Sequence, residues 1–222
     1  MKRIAGAAVM LSAGILAMAL VVSMFELPPP AVRLPQMVQE KLPQSGVEHP
    51  VTAVLLNFRG YDTLLEVAVL LLALLGMLAG ERPRPAAPDR APTDPVLPGL
   101  TRFLVPLMGL TAVYLLWAGA HRPGGAFQAA AVLAAAAVLL HLTDLLPAWT
   151  SLRLRLRTGL AGGLLVFITV AAWLLGEGRL LQYPVAHAGS LILFIEVALT
   201  ISLGLILAGL FLFLPDDDER RR

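Results

Sequence analysis

Apolar residues in this chain do not alternate with polar ones at a helical or strand period. They run in long blocks. Six blocks approach or reach the roughly 20 residues that carry a helix across a bilayer core of about 30 Å. They are Ile4–Phe25, Asp62–Gly80, Phe103–Ala120, Ala126–Leu146, Thr158–Leu175 and Val185–Leu214. The last is long enough to imply tilt or an extension beyond the lipid. A shorter run, Val51–Phe58, cannot span and reads as an interfacial or re-entrant piece leading into the second helix. The pattern predicts an all-α polytopic membrane protein of about six transmembrane helices.

The first block has a second reading. Met1-Lys2-Arg3, an apolar run and Ala17-Met18-Ala19 also resemble a signal peptide with its cleavage site. The run is long for that purpose, and a retained helix is the expectation.

Two polar stretches interrupt the blocks. Leu27–His49 opens with Pro28-Pro29-Pro30 and reads as an external loop. Glu81–Pro98 is rich in Pro, Ala and charge. Proline removes a backbone donor and keeps the preceding residue out of the helical region, so an extended linker is expected there. The chain then divides into a two-helix module (1–80), the linker (81–98), a four-helix domain (99–214) and a charged tail (215–222).

Composition agrees with this reading. Of 222 residues, 58% are hydrophobic and 14% charged, with a mean hydropathy of +0.78. Soluble domains carry about 25% charge. A disordered chain, a coiled coil and a water-soluble enzyme are excluded. The net charge is only +2, which argues against a nucleic-acid partner. There is no Cys, so disulfides, Cys-held iron–sulfur clusters and Cys-based zinc sites are excluded. His49, His121, His141 and His187 are scattered, and no metal site or cofactor is expected.

Basic residues give the orientation. With the N-terminus inside, Lys2, Arg3, Arg82, Arg84, Arg90, Arg102, Arg153, Arg155, Arg157 and Arg220–Arg222 are cytoplasmic. Arg33, Lys41, Arg59, Arg122 and Arg179 are external. The excess on one side predicts that both termini are cytoplasmic.

Charge inside apolar blocks is where chemistry is expected, because an ionised side chain at a helix centre costs about 2.5–3.5 kcal/mol on insertion scales. Asp62 and Glu66 lie four residues apart on one face of the second helix. Glu196 lies about three turns into the last. His141 sits near the cytoplasmic end of the fourth, with Asp144 one turn beyond. Thr63 and Glu66 also have the spacing of a helix capping box. His121-Arg122-Pro123-Gly124-Gly125-Ala126-Phe127-Gln128 reads as a tight external turn whose Gln128 enters the membrane. Asp62, Glu66, Glu196, His121 and Gln128 are the candidates for an ion path. Arg59, Gly60, Thr63, Gly124, Gly125 and Phe127 are the residues that would shape it. Small residues at 6–8, 129–131, 134–137, 159, 162 and 163 suit close helix packing, including packing against other subunits. Trp117, Trp149 and Trp173 fall near helix ends, as interface anchors do. No nucleotide motif or catalytic triad appears, so no enzyme is expected.

Two stretches carry a family resemblance. HRPGGAFQAAAVLAAAAVLL, within about Leu97–Leu214, resembles the MnhB/MrpB-like subunit of the Mrp-type multisubunit sodium/proton antiporters. VTAVLLNFRGYDTLLEVAVLLLALLG, within about Met1–Gly80, is similar to the C-terminal two-helix segment of the large subunit of the same antiporters. The same segment occurs as a separate small subunit in membrane-bound hydrogenases. Three positions depart from the family patterns: Asn57 stands for Asp, Leu65 for Gly and Ala126 for Gly. The resemblance implies an accessory subunit of a cation (sodium)/proton antiporter complex in a prokaryotic inner membrane. Its partners would be large antiporter-like subunits and other small subunits, with sodium ions and protons as cargo. Two alternatives stay open: a membrane-arm subunit of a redox-driven ion pump, and a purely structural scaffold. By the same resemblance, Arg59, Asp62 and Glu66 map onto the first motif. His121, Gly124, Gly125, Phe127 and Gln128 map onto the second.

Overall fold

The computed structural model describes residues 2–26, 33–79, 96–147, 149, 153–176, 178 and 180–213. Most of the linker and all of the charged tail lie outside this set. The elements are α1 (Lys2–Phe25), α2 (Leu34–Ser45), α3 (Pro50–Thr52), a π-helical segment π1 (Ala53–Phe58), α4 (Gly60–Ala79), α5 (Val96–Ala118), α6 (Ala126–Leu142), α7 (Leu154–Gly176) and α8 (Ala188–Leu212). Each of the six apolar blocks forms a helix. Four of them, α4, α5, α7 and α8, are long and apolar enough to cross a membrane. Met10–Phe25 and Ala126–Leu142 are shorter apolar helices.

Two compact units are present, Met1–Met37 and Val38–Arg222. The first contains α1. The second is built around α8, which packs against α4, α6 and α7, while α5 lies against α6. Its core includes Leu74 from α4, Ala130 from α6, Phe167 and Leu174 from α7, and Ile195, Leu199, Leu203 and Ile206 from α8. In lipid there is little hydrophobic drive between helices, so close backbone approach and hydrogen bonding hold them together. Gly163 shows why a small residue is required. A Cβ there would lie 2.6 Å from Ser202 Cβ and 2.9 Å from the Ala198 carbonyl oxygen. At the same crossing Ser202 Oγ donates to the Leu160 carbonyl at 2.5 Å.

Three connections gather at one end of this unit. The α2–α3 junction meets the start of α8, where a Cβ on Gly46 would lie 2.6 Å from the Val185 carbonyl. Thr52 Oγ1 donates to the Gly119 carbonyl in the α5–α6 turn at 2.5 Å. Leu181, in the α7–α8 connection, lies against Gly60. At the other end Trp149 N–H donates to the Leu212 carbonyl at 3.0 Å, and its ring meets Phe213 edge-on.

Several local expectations are corrected. The stretch Leu27–His49 is not simply a loop, since α2 occupies Leu34–Ser45. Leu34, Met37, Val38 and Leu42 recur at helical spacing there. Helix α5 starts at Val96, inside the stretch assigned to the linker. The last helix starts at Ala188 rather than Val185, because residues 180–187 form the turn that covers α4. Val51–Phe58 is helical, as α3 running into π1. Arg59 N–H donates to the Val54 carbonyl at 2.8 Å, a five-residue reach. The capping-box reading of Thr63 and Glu66 fails. Helix α4 already begins at Gly60, and Thr63 Oγ1 donates to the Leu55 carbonyl at 2.6 Å. Thr63 therefore satisfies an acceptor of the π-helical turn instead of a donor of its own helix.

Candidate functional site

Helix α8 carries Glu196 eight residues beyond its first residue, about 12 Å along the axis at 1.5 Å per residue. The side chain is only 5% exposed. Among the described residues no Lys, Arg or His forms an ion pair with it. Its neighbour is the N-terminus of α6. Ala126 N–H donates to Glu196 Oε1 at 3.4 Å.

The α5–α6 turn is folded to make that approach. Gly124 packs on the end of α5, where a Cβ would collide with the Leu115 carbonyl oxygen. Gly125 N–H donates to that same carbonyl at 2.8 Å. Gly125 occupies the N-cap position of α6 with φ +109°, a left-handed conformation that favours glycine. A Cβ on Gly125 would lie 2.8 Å from Glu196 Oε1. The first N–H groups of a helix lack intrahelical partners and carry the positive end of its dipole. The turn thus delivers one backbone donor, the Ala126 N–H, to a buried carboxyl group, as helix N-termini do toward anions. Ala126, which stands for the third glycine of the family pattern, supplies the donor through its backbone. Thr200 Oγ1 donates to the Glu196 main-chain carbonyl at 2.7 Å and leaves the carboxyl free of that bond.

Glu196 and the HRPGGAFQ turn, 70 residues apart in sequence, are therefore one site. The turn's other members surround it at a distance. Gln128 is exposed on the first turn of α6, and its Oε1 lies 3.8 Å from where a Gly125 Cβ would be. Phe127 packs against the main core. His121 points elsewhere. Its Nδ1 lies 2.7 Å from Glu48 Oε2, beyond α2, and its ring meets Trp117 edge-on.

The other candidates occupy a separate place. Arg59 and Asp62 form an ion pair where π1 meets α4. Glu66 is exposed one turn further along α4, on the side turned away from the chain's own core. Gly60 is buried beneath Leu181. His141 is buried at the far end of α6, with Nδ1 3.0 Å from the Leu146 carbonyl and its ring against Phe211. Asp144 lies in the turn beyond it with φ +58°. Among the described residues no group of three or more His, Asp or Glu comes together to hold a metal ion.

Nothing local in the sequence announces the contacts that fasten the site from outside. Thr52 reaches the α5–α6 turn, Glu48 reaches His121, and Asn57 Nδ2 donates to the Ser45 carbonyl at 2.9 Å. The one signal for Thr52 is its place in the VTAVLLNFRG stretch.

A helical bundle of this apolarity defines a polytopic membrane protein, and within it one carboxyl group is buried against a helix N-terminus. Residues 96–213, just over half of the chain, match the family model of a domain related to the MnhB subunit of Na+/H+ antiporter, and the chain belongs to that family. It is 29% identical over 163 residues to a probable K(+)/H(+) antiporter A/B subunit of Rhizobium meliloti strain 1021. That alignment takes in 60% of this chain and 16% of the relative's length.

Two solved structures share the fold. A chain of the membrane-bound sulfane sulfur reductase, an archaeal respiratory membrane complex, superposes with a TM-score of 0.73 at 22% identity. The match covers 93% of this chain and 96% of that one. A chain of the Mrp complex from Dietzia sp. DQ12-45-1b matches with a TM-score of 0.70 at 24% identity. It covers 97% of this chain and 26% of that one.

Proposed function

We propose that this chain is an accessory integral-membrane subunit of a multisubunit monovalent cation/proton antiporter in a prokaryotic cell membrane. It catalyses no covalent chemistry of its own. Its termini are cytoplasmic, and its neighbours are the large antiporter-like subunits and other small ones. Both structural relatives come from multisubunit membrane complexes, which supports the partner assignment.

The observation that carries the reading is the Glu196 carboxyl group at the α6 N-terminus. An ionised acid at a helix centre costs about 2.5–3.5 kcal/mol. A helix N-terminus in a partly buried geometry returns up to about 2 kcal/mol to an anion. The second term returns part of the first and leaves at least about 0.5–1.5 kcal/mol, so the charged form is reachable at modest cost. That is the property a proton or cation relay requires. Asp62 and Glu66, on the outward face of α4, extend the path toward a neighbouring subunit, and Gln128 and His121 flank its external mouth.

A second reading has its own support. The match to the sulfane sulfur reductase chain spans nearly the whole of both chains. A membrane-arm subunit of a redox-driven pump would use the same carboxyl groups. Purification of the tagged protein from native membranes decides between the two. Large antiporter-like subunits with sodium- or potassium-dependent proton exchange support the first reading. Metal-cluster subunits in the same complex support the second and overturn the first.

A further inference from the structure

Thr52 sits immediately before π1, buried, with its hydroxyl donating to the Gly119 carbonyl 67 residues away. Gly119 is not an ordinary end to α5. Its backbone touches Gly125 so closely that a Cβ on Gly119 would lie 2.7 Å from Gly125 Cα and 2.8 Å from Gly125 N. Both residues donate their N–H to one acceptor, the Leu115 carbonyl, at 3.2 and 2.8 Å. Gly125 in turn is the residue that abuts Glu196 Oε1 and presents the Ala126 N–H. Thr52, Gly119, Gly125 and Glu196 therefore form one continuous line of contacts. No flexible side chain intervenes between the first hydroxyl and the last carboxyl group.

From this line we infer that Thr52 is a positioning residue for Glu196: its hydroxyl fixes the α5–α6 turn and so holds the α6 N-terminus against the carboxyl group. The inference rests on the reading of Glu196 as a protonatable group of the ion path. The side-chain hydroxyl matters because the Gly119 carbonyl lies at the buried C-terminal end of α5, where helix carbonyls lack intrahelical partners. Without Thr52 that carbonyl turns toward other donors, and the Gly119–Gly125 contact moves with it. Thr52 also belongs to the segment that leads through π1 to Arg59, Asp62 and Glu66. The two carboxyl sites of the chain are thereby joined through π1. At its far end Thr63 Oγ1 ties the Leu55 carbonyl of π1 to α4.

The test uses the purified complex and an apolar carbodiimide, which modifies protonated carboxyl groups in membranes. Modification of Glu196 is measured against pH, and amide hydrogen exchange is measured over residues 119–127. Thr52→Val keeps the shape and removes the hydroxyl. It is expected to displace the Glu196 profile by about half a pH unit, equivalent to about 0.7 kcal/mol. It is also expected to raise amide exchange in the turn. Thr52→Ser should restore both. A wild-type profile and wild-type amide exchange in assembled Thr52→Val would overturn the inference. Should Thr52→Val fail to assemble, Gly119→Ala disturbs the same line from the α5 side. An unchanged Glu196 profile in that assembled variant would overturn it equally. Failure of the underlying reading looks different: Thr52→Val loosens the turn while Glu196→Gln leaves ion exchange intact. That result supports the contact and removes Glu196 from transport.

Discussion

Glu196 Oε1 and the backbone nitrogen of Ala126 lie 3.4 Å apart, although 70 residues separate them. The contact joins the last membrane helix to the glycine turn that starts α6. Gly125 is the residue that permits it, by its left-handed φ of +109° and by its lack of a Cβ. In Gly125→Ala the new methyl group meets Glu196 Oε1 at 2.8 Å and the backbone is strained. The complex is expected to assemble, because the nearest atom is the end of a flexible side chain. Cation-dependent proton exchange in reconstituted vesicles should fall by about tenfold or more, the factor that about 1.4 kcal/mol sets.

Gly162 and Gly163 are adjacent on α7 but should respond oppositely to alanine. Gly163 faces Ser202, Ala198 and Leu199 of α8 at distances that a Cβ cannot share, whereas a Cβ on Gly162 meets nothing within 4 Å among the described residues. Gly163→Ala is expected to destabilise by roughly 1–3 kcal/mol through overpacking. Gly162→Ala should be neutral or stabilising by up to about 1 kcal/mol. Thermal unfolding of the detergent-solubilised protein separates the pair, and equal effects would contradict the α7–α8 crossing.

Asn57 stands where the family resemblance has Asp, and the structure gives that departure a purpose. Its Nδ2 donates to the Ser45 carbonyl at 2.9 Å and so ties π1 to the end of α2. An ionised Asp has no donor. Asn57→Asp should therefore cost about 1–3 kcal/mol, the range for an unsatisfied buried group. Amide exchange around residues 45–47 is the measurement. Unchanged protection there would show that the clamp does not depend on the amide.

Tyr183, in the α7–α8 connection, is 5% exposed and its hydroxyl has no hydrogen-bond partner among the described residues. Burial pushes its phenol well above the usual range, so it stays neutral. An unpaired buried hydroxyl contributes nothing and costs its desolvation. Tyr183→Phe is expected to leave stability unchanged or raise it by about 1 kcal/mol. A loss of stability in thermal unfolding would reveal a partner that only the assembled complex supplies.

The membrane helices are legible in the sequence because lipid demands long apolar runs, and every such run forms a helix. The shorter amphipathic α2 is hidden by a polar context and by Pro43 near its end. Thr63 escapes a local reading for a related reason. A capping box is a local spacing, but the backbone turns into π1 before it, and the hydroxyl serves Leu55 instead. For the site, the residue types are visible and their meeting is not. Intramembrane charge singles out Glu196, and the glycine turn announces a tight bend. Only the packing of α6 on α8 brings the two together. Helical spacing puts Asp62 and Glu66 on the same face of α4, and the structure leaves Glu66 exposed there, where no described residue completes a site.

The central claim is that Glu196 carries the ion-path chemistry of this subunit. Its most direct test is cation-dependent proton exchange by the assembled complex in proteoliposomes, wild type against Glu196→Gln, with subunit content verified on the same sample. Glutamine keeps the shape and can still accept the Ala126 N–H, but it cannot release a proton. The account predicts full assembly with exchange lowered by about tenfold or more. Full assembly with wild-type exchange would contradict it and leave the chain a scaffold.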